Sequence, residues 1–172
     1  MVDQEKLQAA IRRNRGRLIR DQWLHVLAQA CGRSVTSDNL IDMTETARLK
    51  CALIAKLINN AHRPVAMQWT KDGESQAYAV LAAIGRQSVG IDVVLFSSVD
   101  DLIGACVVDA SAVLEHAEDV LKVVKDDLNL VTMDLAHGLS LQRNHYSTDG
   151  GFVKGGVVDL FVWGRFAALA GH

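Results

Sequence analysis

From Asp3 to Ala30, apolar residues recur at Leu7, Ile11, Leu18, Ile19, Trp23, Val26, Leu27 and Ala30, a spacing that lays them along one stripe of a helix. Cys31-Gly32 supplies the stop, because glycine accepts the left-handed backbone that closes many helices. Gly16 interrupts the pattern and offers a break into two helices. A second helix is predicted from Met43 to Asn60, with Asp42 and Glu45 spaced to cap its first turn and Asn59, Asn60 and Pro64 ending it. Ala47, Cys51, Ile54 and Ile58 share one of its faces, and Leu49, Leu53 and Leu57 lie beside them. So broad an apolar surface needs a cover, either helix one or another protein, and it predicts a homo-oligomer. The two helices read as an antiparallel pair joined by a short connection.

Further on, the period changes. Val65 to Thr70 reads as a strand, followed by a turn at Lys71-Asp72-Gly73. Residues 74–87 suit either an alanine-rich helix or the second arm of a hairpin, and helix is taken. Ile91 to Phe96 is a buried strand, Leu102 to Val108 a short helix, and Asp109-Ala-Ser111 opens one continuous helix through Val124. Asn129 to Phe166 holds the best-defined sheet. Within it Val131, Met133 and Leu135 should face one way, opposite Thr132 and Asp134, and Leu139 and Leu141 should alternate with Ser140 and Gln142. Val158, Leu160 and Val162 should likewise turn away from Asp159, Phe161 and Trp163, and Gly164 to His172 reads as a terminal helix or tail.

The expected fold is therefore α+β in one domain: an N-terminal helical pair (residues 1–62), then a mostly antiparallel sheet of four to five strands with helices on one face (residues 63–172). The second sheet face is where a ligand or partner would meet the molecule.

Composition narrows the function classes. Apolar residues make up 49% and charged ones 22%, so the chain has the material for a core and is not disordered. A net charge of -2 gives no global pull toward nucleic acid or anionic lipid, and neither is expected as a partner. The opening residues show no apolar signal-peptide core, and the longest apolar run, near Ala77 to Ile84, falls far short of the roughly 20 residues a membrane helix needs. Cys31, Cys51 and Cys106 are odd in number, widely spaced and set among apolar residues, which suits reduced core thiols and a cytoplasmic location.

The chemistry-bearing residues cluster late. His137, His145 and Asp149 form a loose metal-type group that Asp134 and Asp159 could join, but the spacing fits no metal motif, and no metal or other cofactor is assigned. There is no nucleophile elbow, and Gly150-Gly151 and Gly155-Gly156 sit between strands, where they read as a hairpin tip and not as a phosphate loop. No catalytic residue is assigned. Arg12, Arg13 and Arg15, with Arg17 and Arg20 nearby, make a basic cluster that reads as a solvated helix face or an acidic-partner patch. Asp134, His145, Tyr146, Asp159, Phe161 and Trp163 make the candidate partner-binding set on the sheet, since Trp and Tyr are frequent interface anchors. The preferred reading is a non-catalytic, cytosolic protein-binding module, such as an inhibitor or a bacterial toxin-neutralising (immunity) protein that buries a partner toxin or effector. The alternatives are a secretion chaperone and a small hydrolase, metal-dependent or not, built on the His137/His145/Asp cluster.

Overall fold

A computed structural model of the chain describes residues 4–58, 65–70, 73–125, 127–148 and 151–171; the side chains of residues 4–6, 8–13, 65, 66, 144–148 and 151–156 lie outside the description. In chain order the elements are α1 (Gln4–Cys31), α2 (Met43–Ile58), β1 (Val65–Thr70), α3 (Glu74–Arg86), β2 (Asp92–Leu95), α4 (Asp100–Ile103) and β3 (Cys106–Asp109). Next come α5 (Ala110–Glu115), α6 (Ala117–Val124), β4 (Leu128–Val131), β5 (Gly138–Thr148), β6 (Gly151–Trp163) and α7 (Arg165–Leu169). The class is α+β, and the six strands form one antiparallel sheet in the order β1-β6-β5-β4-β2-β3, one strand more than expected.

The extra strand is β3, where a short helix over Leu102–Val108 is expected. Gly104 decides the difference. It ends α4 at φ 84°, and a Cβ there would come within 2.0 Å of the Ile41 carbonyl oxygen, so only glycine lets the chain turn so tightly. The β-branched Val107 and Val108 then pair with β2. The helix expected from Ser111 to Val124 breaks at His116. Asp109 caps the first piece by accepting from the Ser111 and Ala112 amides, and α5 presses so closely on α3 that a Cβ on Gly85 would stand 3.0 Å from Leu114. By contrast α1 runs unbroken through Gly16, and residues 74–86 are helical as expected.

The alternation along β5 and β6 sorts the core. Leu139, Leu141, Val158, Leu160 and Val162 turn to one face, where α1, α3, α5, α6 and α7 cover them through Trp23, Leu27, Leu81, Leu114, Leu121 and Phe166. Each fully buried leucine there contributes roughly 1.5–3 kcal/mol. The opposite face carries a smaller cluster in which Leu49 and Leu53 of α2 meet Val94, Phe96, Ala105, Val131 and Trp163. So α1 and α2 do not pack as a pair: they sit on opposite faces of the sheet, each touching α4. The helical layer lies mostly on one side, with α2 the exception, because α2 is apolar on two sides and the sheet takes up one. Its other side stays exposed, with Cys51 in solvent and Ile54 and Ile58 50% and 70% accessible, so Cys51 is not the core thiol expected of it. Cys31 and Cys106 are buried, and burial pushes their thiols up to about 11 and about 12.

Two glycines give opposite expected outcomes. A Cβ on Gly16 would meet only the Leu102 carbonyl oxygen at 3.8 Å, an ordinary contact. Gly16→Ala should therefore stabilise by about 1 kcal/mol through helix propensity, raising the thermal midpoint by about 2–4 °C. A Cβ on Gly138 would stand 2.0 Å from the Trp163 ring, so Gly138→Ala should cost about 1–3 kcal/mol. Thermal melts of the two variants check both signs.

Candidate functional site

The strand registers arrange the second sheet face in rows running across the strands. Val94, Val131, Gly138 and Trp163 form the first row; Asn129, Ser140, Phe161 and Ala66 the second; Gln142, Asp159 and Gln68 the third. The first row belongs to the core cluster under α2. In the second, Ser140 is buried and its hydroxyl donates to Asn129 Oδ1 at 2.7 Å, with Gln142 Nε2 donating to Ser140 Oγ at 3.3 Å. Phe161 lies half-buried beside this pair. In the third row Gln68 Nε2 donates to Asp159 Oδ1 at 2.7 Å. The result is a set of hydrogen-bonded amides, a hydroxyl and a carboxylate around one aromatic ring.

Trp163 has a different part from the one expected of it. Its ring is buried over Gly138, and its indole Nε1 donates to the Leu135 carbonyl at 3.2 Å. Lys56 of α2 donates to the same carbonyl at 3.2 Å and holds its ammonium 5.5 Å from the Trp163 ring centre. Residues 132–137 are a tight turn and not the continuing strand expected there. Thr132 N donates to the His137 carbonyl at 2.9 Å, and Leu135 takes a left-handed backbone at φ 58°. Met133 is consequently 45% exposed instead of facing the core.

Asp134 holds that turn: its Oδ1 accepts from the Thr132 hydroxyl at 2.5 Å and from the Ala136 amide at 3.0 Å. Those two donors keep its carboxyl below the usual carboxylate range. His137 Nδ1 accepts from the Arg165 amide at 3.0 Å, which puts the proton of the neutral ring on Nε2. Gly164, at φ 61°, permits that approach, since a Cβ there would fall 2.3 Å from the imidazole.

The structure therefore brings Asp134, His137 and Trp163 together around one turn, and Asp159 and Phe161 together on the open rows. Arg15 is exposed on α1, on the other side of the sheet. The side chains of Arg12, Arg13, His145 and Tyr146, and the whole of Asp149, lie outside the described residues. The backbone still separates the two histidines. His145 stands opposite Gly156, eight residues along an extended strand from His137, a span of roughly 26 Å. Among the described residues no group of three His, Cys, Asp or Glu side chains is placed to hold a metal ion.

Sequence reading passed over Lys56, Gln68 and Asn129, whose roles depend on partners 79, 91 and 11 positions away in the chain. It also passed over Asp100. That carboxylate is 1% exposed, accepts from the Ser97 amide and hydroxyl at 2.8–2.9 Å, and lies 3.9 Å from Lys50. Burial pushes it up to about 6, against the Ser97 bonds that pull it down. Because the folded value lies above the unfolded one, the folded state binds the proton more tightly, and this group favours folding as pH falls through 6. Acidifying from pH 7 to pH 5 should add about 1 kcal/mol of stability from this group. Asp100→Asn should flatten that part of the profile, as denaturant titrations of both proteins across the range would report.

No helix among the described residues is long and apolar enough to cross a membrane. No protein-family model matches the chain, and no curated protein or solved structure is significantly similar to it.

Proposed function

We propose that the chain is a non-catalytic protein-binding module, of the inhibitor or immunity-protein kind, acting in the cytosol on another protein. The observation that carries this reading is the half-sheet formed by β5, β6 and β1, whose second and third rows lie beside the area under α2. There Phe161 stands half-buried among Gln68, Gln142 and Asp159. An aromatic ring framed by amides and a carboxylate has the make-up of an interface centre with a polar rim. Three of the groups that would serve a hydrolase have other partners: Asp134 within its turn, His137 Nδ1 on the Arg165 amide, Asp159 on Gln68. None of the grooves described along α1, or that behind Cys31, is lined by any of them.

Site-specific photocrosslinking in the native host tests the proposal. A benzophenone side chain at Gln68 or Gln142 should give one discrete protein adduct. The same group at Glu118, exposed on α6 across the molecule, should not. Phe161→Ala should lower the adduct yield about tenfold, the loss expected when a central anchor is truncated. Equal labelling from all three positions, or none from the sheet, would sink the reading.

A further inference from the structure

The two edges of the sheet are treated differently. At β3 the outer edge is closed: Leu40 bridges to Cys106, the Ile41 amide donates to the Ala105 carbonyl at 2.9 Å, and Asn39 Nδ2 donates to the Val107 carbonyl at 3.2 Å. At the other end β1 pairs with β6 on one side only, over six residues with unbroken register. Among the described residues its backbone makes no hydrogen bond outside the sheet. Alternate residues of a strand turn their N–H and C=O groups to opposite neighbours, so half of those in β1 point outward. Proteins usually blunt such an edge with lysine, proline or a bulge; the six residues Val-Ala-Met-Gln-Trp-Thr contain none of them, and in the chain Pro64 comes directly before them and Lys71 directly after. Beyond Lys71, Asp72 and Glu74 in the chain, the start of α3 is uncharged. α3 starts against Trp69, exposes Ser75, Gln76 and Ala79, and carries no charged residue from Ser75 to Gly85.

We infer that the open edge of β1 pairs with β1 of a second copy of this chain, antiparallel across a two-fold axis, to make one continuous sheet. The inference rests on topology and does not depend on the proposed partner of the sheet face. An incoming strand must match the alternation of β1, in which Met67 and Trp69 are half-buried toward the helices while Gln68 and Thr70 are exposed on the other face. A second copy supplies that alternation through the two-fold. Facing residues must share a side of the sheet, so the register centres on Met67 or on Gln68. Since β1 has no charge, neither register sets like charges against each other. A single pair of six-residue strands buries less than the roughly 800 Å² per partner typical of stable complexes, so the dimer is weak and concentration-dependent.

Sedimentation equilibrium over a concentration series should show the mass rising from 18.7 kDa toward twice that value. Gln68→Lys keeps a donor for Asp159 but sets ammonium groups near each other across the axis; with Thr70→Lys it should weaken dimerisation at least tenfold while leaving the thermal midpoint nearly unchanged. In a Cys51→Ser background, Gln68→Cys should be joined to its counterpart by a short bismaleimide, because either register places the two position-68 side chains within about 8 Å. A mass that stays at 18.7 kDa at the highest concentration would overturn the inference. So would a dimer indifferent to the lysines but abolished by Ile54→Ser with Ile58→Ser, which would place the contact on α2. An adduct from Gln142 to a different protein reports the sheet-face proposal alone, whereas an adduct from Gln68 to a second copy of this chain reports the strand pairing.

Discussion

The second face of this molecule depends on one carbonyl. Leu135 offers its oxygen to both the Trp163 indole and the Lys56 ammonium, which ties the β4–β5 turn to the end of β6 and to α2 at a single point. The geometry needs three unusual backbone positions. Leu135 must be left-handed to present the carbonyl, Gly138 must lack a side chain so the Trp163 ring can lie over it, and Gly164 must turn where a Cβ would strike His137. Given that knot, α2 is positioned to bury Leu49 and Leu53 over one part of the sheet face.

How much of that face α2 covers sets what the molecule can offer. A helix of 16 residues is about 24 Å long, enough to cross several strands but too narrow to cover the face on its own. The rows beyond it are stabilised by their own hydrogen bonds, Asn129 to Ser140 and Gln68 to Asp159, so polar groups there are satisfied without a cover. Phe161 remains partly open in their midst. The acidic and imidazole groups near Trp163, Asp134 and His137, are engaged in the same way. Each has a backbone or hydroxyl donor to hold, and those bonds define the turn.

Several candidate residues illustrate what a one-dimensional reading sees. Asp159, Phe161 and Trp163 were correctly placed on one face by alternation, yet alternation could not say that Trp163 would be buried and Phe161 left partly open. Asp134 drew notice as a carboxylate beside histidine. Its bonds to Thr132 and Ala136 are local, so its turn-holding role was in principle legible from the Thr-Met-Asp-Leu-Ala-His run. Lys56 gave no such signal, because the carbonyl it holds comes from another element; Asp100 takes its Ser97 bonds locally, but its burial does not show in the sequence.

By itself the sequence determined the local periods: the α1 and α2 helices, the helical spacing from Val113 to Val124, the alternation of β5 and β6, and hence an α+β chain with one strongly apolar sheet face; residues 74–86 suited helix and strand alike until the structure made them α3. Those features follow from the spacing of neighbouring residues and from helix and strand geometry, which act over a few positions. Tertiary structure alone decided that α1 and α2 part to opposite sides of the sheet, that β3 exists as an edge strand, and that the helix after Asp109 breaks at His116. Each of these depends on a close approach between distant segments, such as Gly104 against Ile41 or Gly85 against Leu114, and no local pattern encodes the distance between residues 63 or 29 positions apart.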